Sequence, residues 1–293
     1  GGDGSQWWKN HHYDYLIMDQ EVVYATFELN SFTSRNIKST VGKQNQVTVA
    51  AMVFDAYKSL EKLSQHPSID KDKISITGWS LGGGVTLFSA WKPIIKALGQ
   101  SVNFASHLAF YPPCFFDFEE MSFSDSPIHI LIGELDDWTP AKPCDEFVKK
   151  LAKSNVNITI YENSHHGFDR EGELEFNENG YSFKDCMFDV NTDGDILMNY
   201  LNIPMTNPFL QKIGFLFCVE RGVTIGGNKK ARNKSFKFAK DFMHKTLSQW
   251  NYLIISKLWL IVVLSLIVDP TEQYFSNDRE IYLSASLFVK SSE

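Results

Sequence analysis

The residues whose types and spacing most clearly indicate catalysis surround Ser80, in the pentapeptide Gly78-Trp79-Ser80-Leu81-Gly82. The strand-like run KISIT precedes this segment and a helix-like run follows it. A serine at a sharp strand-to-helix turn, a nucleophile elbow, presents its hydroxyl for attack. Small residues are needed two positions before and two after it, because strand and helix would otherwise collide, and Gly78 and Gly82 meet this need. The pattern predicts Ser80 as a nucleophile.

Candidates for a base and an orienting acid lie downstream of Ser80. A serine hydroxyl needs a base to take its proton, usually a histidine held by a carboxylate. The strand-like run PIHILI leads to Asp136 and Asp137, and the run NITIY leads to His165 and His166. This matches the chain order serine, acid, histidine. We prefer Asp136 and His166, and their neighbours remain alternatives, with Asp137 expected to cap a helix or face solvent.

The elements that must position these residues alternate between strand and helix. Strands are predicted at residues 21–29, 73–77, 103–110, 127–132 and 157–161. Helices are predicted at residues 44–65, 81–98, 144–153 and 228–247, with Pro93 breaking the second and Asn228 capping the last. This alternation predicts an α/β fold, a mainly parallel sheet with helices on both faces. Ligands of such sheets bind beyond the carboxyl ends of the strands, where the candidate residues lie.

Composition limits the classes of partner. The 293 residues suffice for one large domain or two small ones, and 43% of them are hydrophobic. The net charge of -7 argues against a nucleic-acid partner, which would need a basic face. With 22% charged residues the composition is typical of a soluble globular protein, which we expect. No charged-then-apolar leader is visible, and the cytoplasm and the periplasm are the two alternatives for its compartment.

The cysteines and one acidic segment have residue types found in disulfides and metal sites. None of the four cysteines forms a CxxC pair, and their even number permits two disulfides, Cys114 with Cys144 and Cys186 with Cys218, or else four buried thiols. Residues 189–195 resemble half of a calcium loop, but Tyr200 stands where the bidentate glutamate belongs. We therefore predict a turn there, no metal site and no cofactor.

The character of the chain changes after about residue 247. Residues 252–268 are nearly all apolar, but only residues 258–268 are free of charge, which is short of the ~20 residues that span a bilayer. A packed strand or helix of the fold, a membrane anchor and an unrelated tail are the alternatives. We divide the chain into a domain at 1–247 and a tail at 248–293, and expect membrane contact only through residues 252–268.

Four motifs together resemble the dienelactone hydrolase family of α/β-hydrolases over residues 1–247. They are GWSLGGG, LIGELDDWTP, HHGFD and CVERGVTIGGNKKAR, the last being similar to a C-terminal element of bacterial members. The resemblance implies Ser80 as nucleophile, Asp136 as orienting acid and His166 as base. The best-known members use cysteine as nucleophile, so the serine favours ordinary serine-esterase chemistry over the dienelactone substrate.

The resemblance also implies binding groups around the nucleophile. Residues 1–4, Gly-Gly-Asp-Gly, resemble the end of a His-Gly-Gly loop, so the first strands of the fold are expected to lie upstream. The oxyanion hole would combine the N–H groups of Leu81 and Gly2. Arg35 is a candidate for holding a substrate carboxylate, although a solvated loop arginine is an equal alternative, and Trp79 is a second candidate for substrate contact.

The sequence thus predicts a hydrolase of small carboxylic esters or lactones that works through Ser80, Asp136 and His166. The alternative enzymatic function is that of an oligopeptidase-like peptidase. The alternative without catalysis is an inactive fragment or a binding protein.

Overall fold

The computed structural model describes residues 24–40, 46–247 and 258–264. Twelve strands occur among them: β1 (Tyr24–Glu28), β2 (Ile69–Trp79), β3 (His107–Phe110), β4 (Phe116–Phe118), β5 (Ile128–Gly133), β6 (Val156–Tyr161), β7 (Glu175–Ser182), β8 (Phe188–Val190), β9 (Ile196–Met198), β10 (Ile203–Pro204), β11 (Glu220–Ile225) and β12 (Leu258–Leu264). Six of them form a central sheet in the order β1-β12-β2-β3-β5-β6, and every pairing in it is parallel. The predicted parallel sheet is confirmed.

The described α-helices are α1 (Val49–Ser64), α2 (Leu81–Phe88), α3 (Lys92–Ala97), α4 (Ala141–Leu151), α5 (Pro208–Phe215) and α6 (Lys229–Leu247). The helix predicted over residues 81–98 ends at Phe88 and restarts at Lys92, with Pro93 in the new first turn. The carboxamide oxygen of Asn228 accepts from the backbone N–H groups of Lys230 and Ala231, at 3.1 and 3.2 Å, which confirms the predicted cap.

Helices cover both faces of the sheet, as predicted, and two histidines establish this. On β3, the His107 ring lies 3.1 Å from the Thr86 carbonyl of α2. On β5, the His129 ring packs 4.2 Å from the Phe238 ring of α6. His129 is in register with Leu108, the residue after His107, so the two histidines point to opposite faces. Helices α2 and α6 therefore lie on opposite sides of the sheet.

The sheet and helix α1 enclose the main hydrophobic core. Ile74 and Ile76 of β2 have no exposed surface, and Ile130 of β5 has none either. Helix α1 contributes Val53 and Leu60, also fully buried, from the face at helical spacing. Burying a side chain of this kind contributes roughly 1.5–3 kcal/mol, so the core fixes β2 and hence the turn that follows it.

Residues 167–227, whose sequence shows little periodicity, form a second layer. Strands β4, β8, β9 and β10 make a small sheet and β7 pairs with β11. The Cys186–Cys218 disulfide spans β8, β9, β10 and α5, and the Cys114–Cys144 disulfide joins the segment after β3 to α4. Both pairings agree with those predicted. Residues 191–195 form a turn between β8 and β9, in which the Gly194 N–H donates to the Asn191 carbonyl.

Strand β12 lies between β1 and β2 and pairs with both. Tyr24 is in register with Trp259, and Ile74 with Leu260. Residues 258–264 therefore form a strand of the fold, which is one of the three interpretations given for the apolar segment. The division between residues 247 and 248 stays a prediction. Within the described ranges, no helix combines the length and the apolar character that crossing a membrane requires.

Candidate active site

The turn that carries Ser80 is shaped by close backbone approach. Ser80 follows β2 directly, immediately precedes α2 and has φ 54° and ψ −116°, a positive-φ conformation that costs about 1–3 kcal/mol for a residue with a side chain. A side chain at Gly78 would collide with the Gly82 carbonyl, and one at Gly83 would lie 2.5 Å from the Phe110 carbonyl. The glycines therefore allow strand and helix to meet with the serine at the apex.

His166 lies between Ser80 and Asp136. Its Nε2 is 2.9 Å from the Ser80 Oγ, and its Nδ1 is 2.8 Å from the Asp136 Oδ2. His166 and Asp136 are 1% and 4% exposed. Because Nδ1 faces a carboxylate, it carries the proton, and Nε2 is left to accept one from Ser80.

The Asp136 carboxylate is itself held in place. Its Oδ1 accepts from the backbone N–H groups of Trp138 and Thr139, at 3.0 and 2.8 Å. The Thr139 hydroxyl lies 3.2 Å from Oδ2. With one oxygen fixed by the backbone, the other is aimed at the His166 ring.

Aromatic rings shield the His166 imidazole. The rings of Tyr111 and Trp138 lie 4.5 and 4.9 Å from it, centroid to centroid. At the backbone, the His166 carbonyl accepts from the Gly226 N–H at 3.1 Å. The ring orientation is therefore fixed by packing as well as by hydrogen bonds, and water is largely excluded from it.

The neighbours of the two preferred residues are placed elsewhere. His166, and not His165, makes both contacts described above. The Asp137 carboxylate accepts from the Thr224 N–H, with its oxygens at 2.8 and 3.1 Å, so it fastens β11. This differs from the helix cap or solvent position expected from the sequence, because Thr224 comes close only in the folded chain.

One buried residue near the site was not singled out from the sequence. Asp169 has no exposed surface, and its carboxylate accepts from the Trp79 indole N–H at 2.9 Å and from the Tyr111 hydroxyl at 3.0 Å. Its place in the HHGFD motif, three residues after His166, is the signal that could have drawn notice to it.

The four residues predicted to bind the substrate or the oxyanion are Leu81, Gly2, Arg35 and Trp79, and three of them are among the described residues. Trp79 lines the cavity beside Ser80, and Leu81 is the first residue of α2. Gly2 lies outside the described residues. Arg35 makes a two-point ion pair with Asp55, at 2.7 and 3.0 Å, and is not among the described residues that line the cavity.

A cavity of about 620 Å³ opens beside Ser80 and His166. Its volume falls in the range of sites for small organic molecules. Most of its lining is apolar and comes from α1, the segment around β4, and the second layer. The aromatic members are Trp79, Phe88, Trp91, Tyr111, Phe115, Phe116, Trp138, Phe183, Phe188 and Phe215. In the described part of the chain, no group of three or more His, Cys, Asp or Glu side chains is arranged to hold a metal ion.

The chain is similar to several known proteins. The probable 2-oxo-3-(5-oxofuran-2-ylidene)propanoate lactonase of a Bradyrhizobium species is 28% identical over 122 residues, which are 39% of this chain and 47% of the relative. The chain thus spans about half the length of that curated relative.

Two solved structures with a similar chain illustrate the match. One is esterase 2 of Thermogutta terrifontis with propionate bound, at a TM-score of 0.43 and 15% identity over 72% of this chain and 71% of that one. Another is an alpha-beta serine hydrolase homologue from Coxiella burnetii, at a TM-score of 0.31 and 23% identity over 41% of this chain and 52% of that one. Residues 23–187, more than half of the chain, match the Dienelactone hydrolase family. The chain belongs to the dienelactone hydrolase family.

Proposed function

We propose that this chain is a serine hydrolase that cleaves small carboxylic esters or lactones. The observation that carries the proposal is the hydrogen-bonded series from Ser80 through His166 to Asp136, at 2.9 and 2.8 Å, beside a cavity of about 620 Å³. A serine, a histidine and a buried carboxylate in this order are the groups that acyl transfer needs. Membership of the dienelactone hydrolase family and the likeness to a probable lactonase support the same reaction class.

In the proposed reaction, the Ser80 Oγ attacks the ester carbonyl carbon while His166 Nε2 takes the hydroxyl proton. Asp136 holds the imidazole tautomer and stabilises the imidazolium that forms. His166 then gives the proton to the leaving alcohol, and an acyl-enzyme remains on Ser80. Water activated by His166 hydrolyses this ester and restores the serine hydroxyl.

Negative charge develops on the carbonyl oxygen during both halves of the reaction. The Leu81 N–H, at the N-terminus of α2 next to Ser80, is the donor that we assign to it. The Gly2 N–H remains the second donor predicted from the sequence. Donors at this position stabilise the tetrahedral intermediate more than the ester, and so lower the barrier.

Labelling and turnover test this proposal directly. A fluorophosphonate probe should modify Ser80, and p-nitrophenyl acetate should be hydrolysed. The Ser80→Ala variant should lose labelling and lower kcat by roughly 10⁴- to 10⁶-fold, with unchanged thermal unfolding. A Ser80→Ala protein that keeps its turnover, or a wild-type protein that is folded but neither labelled nor active, refutes the proposed function. The second result would favour a binding protein or an inactive fragment.

A further inference from the structure

We infer that the site takes an uncharged ester whose larger group is apolar, and that it discriminates against esters and lactones that carry a carboxylate. This inference rests on the proposed hydrolase function and specifies its substrate class. It is carried by the lining of the cavity, the charges at its edge and the pairing of Arg35.

One side of the cavity is a continuous set of phenylalanine rings, which we call the aromatic wall. Its members are Phe115, Phe116, Phe183, Phe188 and Phe215. Neighbouring rings lie 5.0–6.2 Å apart, centroid to centroid. These rings come from the segment around β4 and from the second layer, so they meet only through the fold. A surface of this kind gains free energy by burying an apolar group of the substrate.

The described residues of the cavity offer no positive charge to match a substrate carboxylate. No lysine or arginine is found among the described residues that line the cavity. Two lining residues, Asp193 and Asp195, are exposed acids in the turn between β8 and β9. An anionic substrate would therefore meet negative charge at the edge of the cavity and an apolar surface inside it.

Arg35 does not compensate for this. Its guanidinium already makes two hydrogen bonds to the Asp55 carboxylate, at 2.7 and 3.0 Å, and a third to the Ser31 carbonyl at 2.7 Å. Engaging a substrate would break a two-point ion pair and leave Asp55 without its cation. Arg35 therefore serves to fasten the segment after β1 to α1, which carries Asp55.

A carboxylate taken into such a cavity loses its hydration and meets no cationic side chain among the described lining residues. An uncompensated charge of this kind costs enough to reduce binding roughly 100-fold or more. The cost falls on the transition state as well as on the bound ester, so it appears in kcat/KM. The inference is thus a statement about selectivity between two esters of equal size.

A matched pair of substrates tests this. p-Nitrophenyl butyrate and mono-p-nitrophenyl succinate have four-carbon acyl groups that differ in a terminal methyl or carboxylate. We expect kcat/KM for the butyrate to exceed that for the succinate by about 100-fold or more, measured with the same enzyme. Equal values, or a preference for the succinate, overturn the substrate class while leaving the hydrolase function standing. Absence of turnover for both, together with absence of fluorophosphonate labelling, overturns the hydrolase function itself.

Two variants of one lining residue make the test independent of overall activity. Gln211 of α5 is half-buried and lines the cavity. Gln211→Arg adds a cation there, whereas Gln211→Met keeps the size and stays neutral. We expect the ratio of the two kcat/KM values to shift toward the succinate by about tenfold in Gln211→Arg and to stay within about twofold in Gln211→Met. An unchanged ratio in a folded Gln211→Arg protein contradicts the inference.

Discussion

The Trp79 indole N–H donates a 2.9 Å hydrogen bond to the Asp169 carboxylate, which has no exposed surface. The second oxygen of Asp169 accepts from the Tyr111 hydroxyl at 3.0 Å. Trp79 directly precedes Ser80, and the Tyr111 ring packs against His166. One buried carboxylate thus links the immediate neighbours of two residues in the proposed reaction.

Replacing this carboxylate should separate positioning from folding. Asp169→Asn keeps the size but turns one acceptor into a donor, so the carboxamide oxygen replaces the carboxylate as acceptor for only one of the Trp79 N–H and the Tyr111 hydroxyl. We expect a loss of about 1–3 kcal/mol in the free energy of unfolding, measured with urea. We also expect kcat to fall about 10- to 100-fold, because Trp79 precedes Ser80 and the Tyr111 ring packs against His166.

The control is Asp185→Asn, at an exposed acid, which should change neither quantity. If Asp169→Asn loses stability but keeps kcat, then Asp169 contributes to packing alone.

The adjacent acids Asp136 and Asp137 make a matched pair of variants. Asp136→Asn should lower kcat about 10⁴-fold, because the amide favours the wrong tautomer of His166. Asp137→Asn should leave kcat within a few-fold and weaken the fold by about 1 kcal/mol, since Asp137 accepts from the Thr224 N–H. Steady-state kinetics and urea unfolding of both proteins check this. Comparable losses of kcat would show that the preference for Asp136 is wrong.

The buried His107 predicts how stability depends on pH. Burial lowers the pKa of its imidazole from 6.5 to about 4. Between these values the unfolded chain binds a proton that the folded chain does not, so the free energy of unfolding falls as pH drops from 6.5 to 4. The contribution present above pH 6.5 is roughly 3 kcal/mol and is lost across that window.

His107→Asn removes this titration while retaining a donor for the Thr86 carbonyl, which lies 3.1 Å from His107 Nδ1. Urea unfolding at pH 7 and pH 5 should show a smaller difference for His107→Asn than for the wild type. The exposed His66, changed to Asn, is the control and should keep the wild-type difference. An equal pH dependence in all three proteins would mean that His107 does not contribute to it.

The Cys186–Cys218 disulfide closes a segment that supplies much of the cavity wall, including Phe188 and Phe215. Changing both cysteines to serine should destabilise the protein by roughly 2–4 kcal/mol, because the unfolded chain regains the freedom of a loop of about 30 residues. KM for p-nitrophenyl butyrate should rise more than KM for p-nitrophenyl acetate, since the larger acyl group depends more on the wall. Thermal unfolding and steady-state kinetics, both without reductant, provide the measurement. Equal changes in the two KM values would argue against a role of the disulfide in holding the cavity wall.

Much of the candidate site could be anticipated because its signals are local. Ser80 lies in a short glycine pattern, and Asp136 and His166 follow strands whose carboxyl ends meet at one edge of a parallel sheet. The sequence favours His166 over His165 but does not decide between them, since adjacent residues differ mainly in the direction of their side chains. The structure decides which of them contacts Ser80 and Asp136.

Other features depend on contacts that no local pattern records. Asp169 meets Trp79 from 90 residues away, and Arg35 meets Asp55 from 20 residues away. Strands β8, β9 and β10 have two or three residues each, too few to display a period. The position of residues 258–264 in the sheet follows from long-range pairing, which the apolar composition of this segment does not specify.

The place of β12 also determines when the sheet can be completed. During synthesis β1 and β2 leave the ribosome long before residues 258–264, yet each pairs with this segment. Until it arrives, two strands keep open edges, which are templates for pairing with other chains. Closing the sheet requires contacts between residues far apart in the chain, and such topologies fold slowly. We therefore expect the central sheet to be completed only after residues 258–264 have been synthesised.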